Sequence, residues 1–241
     1  MTYVITLLTT LFLALTGYAR AKNNDRLLSL SILKKADVFL QSLETLDYKI
    51  SYSNYNATLN DTIKTVGNCI LKFNGNDFKN IMFNVNYKLE TSNKGLLYTG
   101  QYKFNGKESY ETITDVNNLK VATLEGGDVK KKVMIDNTNK AAYIPTIFTD
   151  QSYFMSIYNE FKKDINVEEV DLDGTICYKL SINLEEYEAK KDIQFVNYIR
   201  KSDYYPISAF ESYTSDGIAY YTSWVLQYNN VNKSIDNDIF R

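Results

Sequence analysis

Histidine is absent from this 241-residue sequence, and cysteine, proline and tryptophan are scarce, with two, two and one residues respectively. Without histidine the chain cannot build a Ser-His-Asp triad, an HExxH zinc site or a histidine general base. Two cysteines are too few for a zinc site made of four thiolates. The sequence offers few means of catalysis, and we predict that the protein is not an enzyme and carries no metal or other cofactor.

An excess of positive charge is also missing, since 27 Lys and Arg residues stand against 29 Asp and Glu residues, for a net charge of −2. Contacts to nucleic-acid phosphates need clustered Lys and Arg, so no nucleic-acid partner is expected. Adjacent Glu185 and Glu186 point to opposite faces of a predicted strand and do not form a catalytic pair. The acidic stretch from Asp164 to Asp173 lacks the spacing of a calcium loop, and we interpret it as an acidic loop.

Aromatic residues are abundant, with 21 Tyr and 12 Phe, and together with Ile, Val and Thr they favour β-strands. Apolar residues alternate with a period of two, for example at Tyr48, Ile50 and Tyr52. Dipeptides that accept positive φ separate these segments, as expected for tight turns. We predict about ten strands, near 48–53, 63–74, 81–90, 96–104, 108–114, 119–124, 132–136, 175–183, 192–200 and 206–228, the last a hairpin that turns at Asp216-Gly217.

An apolar run from Val4 to Thr16 opens the chain and is followed by Ala19-Arg20-Ala21, a pattern typical of signal-peptide cleavage. The run is too short to cross a bilayer, which takes ~20 residues. We therefore predict a signal peptide at 1–21, export to the periplasm or the outside, and a single mature domain at 22–241 without a membrane-spanning segment. An uncleaved anchor or a buried helix is the alternative.

The two cysteines, Cys69 and Cys177, lie in strand-like segments, and an exported protein resides where disulfides persist. A bridge between them would close a long loop and stabilise the fold by up to roughly 4–5 kcal/mol. The alternative is a pair of buried free thiols that behave as small hydrophobic side chains.

Helical periodicity appears in a first segment, where apolar residues recur every three or four positions from Leu28 to Leu46 and Asp25 is a candidate N-cap. This amphipathic helix needs a large apolar partner, and as a lid it would cover the sheet with Leu28, Ile32, Phe39 and Leu43. Its polar face is expected to carry Lys34, Lys35, Asp37, Gln41 and Glu44. A second helix is predicted over 150–161, with Asp150 or Ser152 as its cap.

These elements predict an α+β protein that is mainly antiparallel. A sheet of about ten twisted strands curls, and two helices are too few to cover it if it were flat. We expect a strongly curved half-barrel, with the N-terminal helix and the further helix on its concave side. A closed up-and-down barrel of lipocalin type is the alternative.

Several motifs point to a known family. The N-terminal helix runs into Leu46-Asp47-Tyr48, and a meander follows that contains Tyr102-Lys103-Phe104-Asn105-Gly106-Lys107. Further on are a Gly-initiated strand at Gly174 and the segment Lys201-Ser202-Asp203-Tyr204-Tyr205-Pro206. In this order the elements resemble the LolA/LolB family of lipoprotein carriers, including the related domain found ahead of thioredoxin-like domains.

The resemblance implies a half-barrel with a helical lid and a cavity that binds lipid or lipoprotein acyl chains. Carriers of this family use an arginine in the early sheet to hold the lid, whereas arginine occurs here only at positions 20, 26, 200 and 241. A transport cycle based on that latch is therefore in doubt for this chain.

Two functions follow from these observations. The first is an exported carrier or envelope sensor that holds an apolar ligand against the alternating residues Phe83, Val85, Tyr87, Tyr98, Tyr102 and Phe104. The second is a scaffold that binds another envelope protein, in which the same residues form a filled core.

Overall fold

The computed structural model describes residues 26–56, 60–74, 77–93, 95–115, 121–123, 144–150 and 152–241. The predicted signal peptide at 1–21 and the predicted strand at 132–136 lie outside the described residues. None of the described helices is long and apolar enough to cross a membrane.

An antiparallel sheet of eleven described strands forms the body of the protein, in the order β6-β5-β4-β3-β2-β1-β11-β10-β9-β8-β7. Among the described residues the outer strands β6 and β7 do not pair with each other, so this sheet is open and is not a lipocalin-type barrel. The strands are β1 Thr45–Asn56, β2 Asp61–Asn74, β3 Asp77–Thr91, β4 Gly95–Phe104, β5 Ser109–Asp115, β6 Val121–Thr123, β7 Ile165–Leu172, β8 Thr175–Tyr187, β9 Lys190–Arg200, β10 Pro206–Ser215 and β11 Ile218–Val231.

Two meanders make up the sheet, and they join where the first strand pairs with the last. Ile50 of β1 lies opposite Gly67 of β2 on one side and opposite Leu226 of β11 on the other. Because twisted strands accumulate curvature, a sheet of this width bends. The predicted mainly antiparallel half-barrel is confirmed, with eleven strands in place of about ten.

Helix α1 occupies residues 26–41 and helix α2 spans Tyr153–Phe161. Both contribute to the same hydrophobic core as the inward-facing strand residues, so the helices lie on the concave side of the sheet. Phe39 of α1 stacks on Tyr205 with ring centroids 3.9 Å apart. Phe148, in the short 3-10 helix Thr146–Phe148, packs 5.3 Å from the ring of Tyr48.

The acidic stretch predicted as a loop is instead the edge strand β7. Two of its carboxylates form ion pairs with lysines of nearby segments of the same chain. Glu168 pairs with Lys179 on β8 at 3.0 Å, and Glu169 pairs with Lys201 after β9 at 2.5 Å. An edge strand that carries charges resists pairing with further chains, and this explains why a strand here has a loop-like composition.

Of the two alternatives for the cysteines, the structure has the buried free thiols and not the disulfide, since Cys69 and Cys177 are unbonded to each other. Cys69 lies on β2 and Cys177 on β8, and β1, β11, β10 and β9 stand between these two strands. That separation is about 24 Å along the sheet at ~4.8 Å per strand, far beyond the ~7 Å limit between the two Cα atoms of a disulfide. Cys69 belongs to the concave core, whereas Cys177 alternates with the core residues Tyr178 and Leu180 and faces the other way.

The C-terminal segment covers part of the convex face. Phe240, in the 3-10 helix Asn237–Phe240, is only 1% exposed. The carbonyl of Ile239 accepts a hydrogen bond of 2.7 Å from Asn84 Nδ2, and Asn237 accepts one of 2.7 Å from Lys72 Nζ. Asn84 and Lys72 alternate with inward-facing core residues, so these contacts lie on the outer side of the sheet.

Candidate functional site

The concave face is graded from apolar to polar along its strands. Residues that lie opposite each other on neighbouring strands form cross-strand rows, and rows at one end of the face are apolar. We call three such rows the apolar half, and they comprise Leu46, Leu71, Phe83 and Phe104, then Tyr48, Cys69, Val85 and Tyr102, then Leu226, Ile50, Gly67, Tyr87 and Gly100. Two further rows carry most of the polar side chains of this face together with apolar ones, and we call them the polar half; they comprise Leu180, Asn197, Ala209, Trp224, Tyr52, Thr65 and Leu89, then Ile182, Phe195, Glu211, Thr222, Asn54 and Ile63.

The predicted ligand-lining residues lie together in the apolar half. Phe83, Val85, Tyr87 and Tyr102 are 0–7% exposed, and Phe104 is half-buried beside them. The ring of Phe83 lies 4.9 Å from that of Tyr102 and 5.7 Å from that of Phe104. The sixth residue, Tyr98, pairs with Leu89 through the backbone, and its side chain lies outside the described residues.

Glycines on both sides of Tyr87 shape this wall. Gly67 and Gly100 are its direct partners on β2 and β4, so neither neighbouring position carries a side chain. A Cβ atom at Gly100 would lie 2.5 Å from the Tyr87 ring, which shows that the ring lies across the β4 backbone. Glycine in a strand interior weakens the strand but permits a close approach of this kind.

Cys69 lies deep in the apolar half, where it is fully buried. Its thiol hydrogen-bonds the hydroxyl of Tyr48, and burial raises the pKa of Cys69 to about 12. Burial also raises the pKa of Tyr48 well above its usual value. Both groups therefore stay neutral, and this fits the predicted alternative of a buried thiol that serves packing.

Three of the four predicted lid residues face the sheet. Ile32 is 2% exposed, Leu43 4% and Phe39 7%. Leu28 is 43% exposed, so it stands outside the core at the beginning of α1, whereas the neighbouring Ser29 is fully buried. Lys35 fastens α1 to the β9–β10 turn, because its Nζ donates a 2.9 Å hydrogen bond to the Tyr204 hydroxyl.

Asp37 joins the two helices, although the sequence pattern assigned it to the polar face of α1. The residue is 3% exposed, and its two carboxylate oxygens accept hydrogen bonds from the backbone N–H groups of Phe154 (3.0 Å) and Met155 (2.9 Å). These are free N–H groups in the first turn of α2, so Asp37 acts as a cap supplied by another helix. The predicted cap residues Asp150 and Ser152 bond each other, and Ser152 makes no side-chain cap bond to α2.

A further clamp fixes the end of α1. Asn232 follows β11 and accepts a 2.8 Å hydrogen bond from the backbone N–H of Glu44, while its Nδ2 donates to the carbonyl of Ser42. The segment between α1 and β1 is thereby tied to the other end of the chain. Sequence periodicity could not reveal this contact, because it joins positions far apart in the chain.

Arg200, the last residue of β9, is held by Asp203. Both carboxylate oxygens of Asp203 lie 2.9 Å from Arg200 Nε, and the guanidinium lies 5.0 Å from the ring centre of Tyr205. Because Tyr205 stacks on Phe39, Arg200 supports α1 indirectly. Its pKa is raised by the hydrogen bond to Asp203, so it remains charged.

No family model and no curated protein matches this sequence. Comparison of the structure with solved structures does find matches, all at low sequence identity. LprF from Mycobacterium bovis is 8% identical with a TM-score of 0.45, covering 86% of this chain and 94% of that one. The Mycobacterium tuberculosis lipoprotein LppX is 7% identical with a TM-score of 0.43, covering 87% and 98%. A putative outer membrane lipoprotein-sorting protein domain from Vibrio parahaemolyticus is 7% identical with a TM-score of 0.32, covering 87% and 95%.

The polar half of the concave face lies under α2. The hydroxyls of Tyr52 and Thr222 are hydrogen-bonded, and burial raises the pKa of Tyr52. Burial also raises the pKa of Tyr153 on α2 to about 12, with a further contribution from the nearby charge of Glu211. Lys190 forms an ion pair with Glu211 at 3.4 Å.

Catalytic and metal chemistry has little support in the part of the chain that the structure describes. No group of three or more Cys, Asp or Glu side chains that could hold a metal ion occurs there. Glu185 and Glu186 are both exposed on β8.

Proposed function

We propose that the protein is an exported carrier or envelope sensor that holds lipid or lipoprotein acyl chains against the concave face of its half-barrel. The observation that carries this proposal is the grading of that face. Apolar rows at one end, and rows that add polar side chains at the other, match a molecule with an apolar chain and a polar end, because the polar end finds hydrogen-bonding groups only in the second set of rows.

The two helices that cover the sheet, α1 and α2, also support the proposed binding of acyl chains. Helices α1 and α2 meet the sheet mainly through side chains, as in the stacking of Phe39 on Tyr205, and Asp37 joins them to each other. A cover of two linked helices can separate from the sheet without breaking a strand pairing. An acyl chain would then replace contacts between the cover and the apolar half, at a favourable ~0.8 kcal/mol per buried CH₂.

Titration with a fluorescent fatty acid, together with native mass spectrometry of the purified chain, tests the proposal. We expect saturable one-site binding or lipid that co-purifies with the protein. A protein that carries no lipid and shows no saturable uptake would contradict it.

A second function is favoured by one observation, the burial of four of the six predicted lining residues, Phe83, Val85, Tyr87 and Tyr102, to 0–7% exposure. If these side chains are a permanently filled core, the protein is an envelope scaffold that binds a protein partner in place of a lipid. The same titration separates the two functions, since a scaffold would leave the fatty acid in solution and would capture a specific envelope protein.

A further inference from the structure

Asn197 is a buried polar residue whose side-chain oxygen has no hydrogen-bond partner among the described residues. It lies on β9, is 8% exposed, and among the described residues no hydrogen-bond donor reaches its Oδ1. Its direct cross-strand partners are Leu180 on β8 and Ala209 on β10. An unpaired buried carbonyl costs about 1–3 kcal/mol, so such an atom calls for a partner that the folded chain itself does not supply.

The cross-strand neighbours of Asn197 include a small residue and a second hydrogen-bond acceptor. Ala209 is a small residue between Asn197 and the large ring of Trp224 in the same cross-strand row. Glu211 is two residues beyond Ala209 on the same face of β10, diagonal to Asn197 across the strand pair. Trp224 then forms a flat apolar wall on the far side of the small residue.

The groups available here favour a ligand that donates hydrogen bonds. Asn197 Oδ1 and the Glu211 carboxylate accept, and the hydroxyls of Tyr52 and Thr222 are bonded to each other. The ammonium of Lys190 is engaged by Glu211 at 3.4 Å and lies 4.0 Å from the ring centre of Tyr213. A phosphate would meet the Glu211 charge, whereas a headgroup with two hydroxyl groups can donate one hydrogen bond to each acceptor.

We propose that Asn197 and Glu211 form the headgroup site of the bound lipid, and that they select an uncharged headgroup with hydroxyl donors, such as a glycerol or another polyol. This inference rests on the proposed lipid-binding function and deepens it. The acyl chain extends from this site into the apolar half, and the hydroxyl end stays beneath α2.

Three probes with the same eighteen-carbon chain length test the site: 1-monooleoylglycerol has two hydroxyl donors, methyl oleate has none, and oleyl phosphate is anionic. The purified chain should bind monooleoylglycerol more tightly than either of the others. In Asn197→Leu the preference for monooleoylglycerol over methyl oleate should fall about 5–10-fold, the worth of one hydrogen bond. Binding of methyl oleate itself should be unchanged or tighter.

A matched control and a second variant complete the experiment. Asn183 lies on the neighbouring strand β8 with an exposed side chain, so Asn183→Leu should leave all three affinities unchanged. Glu211→Gln keeps the shape of the side chain and removes its charge, and it should strengthen binding of oleyl phosphate relative to monooleoylglycerol. This second variant gives a result even if Asn197→Leu fails to fold.

The outcomes separate the headgroup site from lipid binding in general. Equal binding of monooleoylglycerol and methyl oleate, or a preference unchanged in Asn197→Leu, would overturn the headgroup site and leave acyl-chain binding in place. Tightest binding of oleyl phosphate by the wild-type chain would overturn it as well. Binding of none of the three probes would overturn both the headgroup site and the proposed function.

Discussion

At the scale of single residues, the contact between Tyr87 and Gly100 determines how the wall of the apolar half is built. We predict that Gly100→Ala lowers the free energy of unfolding by about 1–3 kcal/mol, because the new Cβ would lie 2.5 Å from the Tyr87 ring. Urea denaturation of the single variants and of the double variant with Tyr87→Ala measures the effect. In the Tyr87→Ala background the Gly100 substitution should cost much less, and equal costs in the two backgrounds would refute the overlap of ring and backbone.

The thiols give a second residue-scale prediction. Burial raises the pKa of Cys69 to about 12, so at pH 8 only about one molecule in ten thousand carries its thiolate. We predict that the native protein reacts slowly with a thiol reagent, and that both Cys69 and Cys177 react once urea unfolds the chain. A chain that stays unreactive when unfolded, and gains reactivity only after reduction, would show that a disulfide is present.

Residue types predicted part of the site. Alternation placed Phe83, Val85 and Tyr102 on one face, because a strand has a period of two and a buried face selects apolar side chains. It misassigned Asp37, because a hydrophobicity pattern cannot show that a carboxylate is buried when its partners are N–H groups of a helix more than a hundred positions away. The alternation pattern also failed to identify Asn197 and Glu211. In the sequence they look like ordinary polar residues within strands, and only the strand register places them on the concave face.

At the scale of elements, the cap that Asp37 places on α2 links the two helices. Burial raises the pKa of Asp37, and the hydrogen bonds from Phe154 and Met155 oppose this shift only in part. A carboxyl group whose pKa is higher in the folded state than in the unfolded state takes up a proton on folding. Its contribution to stability is therefore largest below the unfolded pKa, near 3.8, and is lost as the pH rises through the folded pKa.

We predict that the difference in unfolding free energy between wild type and Asp37→Asn changes with pH. The asparagine keeps an acceptor oxygen but does not titrate, so wild type should gain stability relative to this variant as the pH falls from 7 toward 4. Urea denaturation across this range measures the difference, in which acid effects common to both proteins cancel. Asp37→Ala, which removes the cap, should cost about 0.5–2 kcal/mol or more at pH 7, and a pH-independent difference for Asp37→Asn would contradict the raised pKa.

At the scale of the whole molecule, the sheet is joined at its middle rather than at its ends. Short turns made most of each meander predictable from the sequence, because neighbouring segments pair, although the edge strand β7 was predicted as a loop. The pairing of β1 with β11 was not predictable, since it joins positions separated by nearly the whole described chain and no turn signals it. The same holds for Asn232 and for the C-terminal segment with Phe240, whose contacts depend on where the two meanders meet.

This arrangement gives a final prediction about ligand entry. The β1–β11 seam places the α1 contacts over the centre of the sheet, where Phe39 packs on Tyr205 and lies 6.0 Å from the ring of Tyr228. If an acyl chain enters by separating α1 from the sheet, weakening this contact lowers the barrier to entry. Phe39→Ala should then bind a fluorescent fatty acid at least about tenfold faster, the effect of ~1.4 kcal/mol on a rate.

Stopped-flow fluorescence measures the rate of entry, and Leu28→Ala is the matched control, since this apolar side chain on α1 is 43% exposed. The control should leave the rate unchanged, whereas Phe39→Ala should also lower the free energy of unfolding by about 3–5 kcal/mol. Loss of stability without faster binding would mean that the chain enters by another route, at an end of the half-barrel. Faster binding in Phe39→Ala alone would identify the separation of α1 from the sheet as the rate-limiting step, because only that variant weakens the contact between helix and sheet.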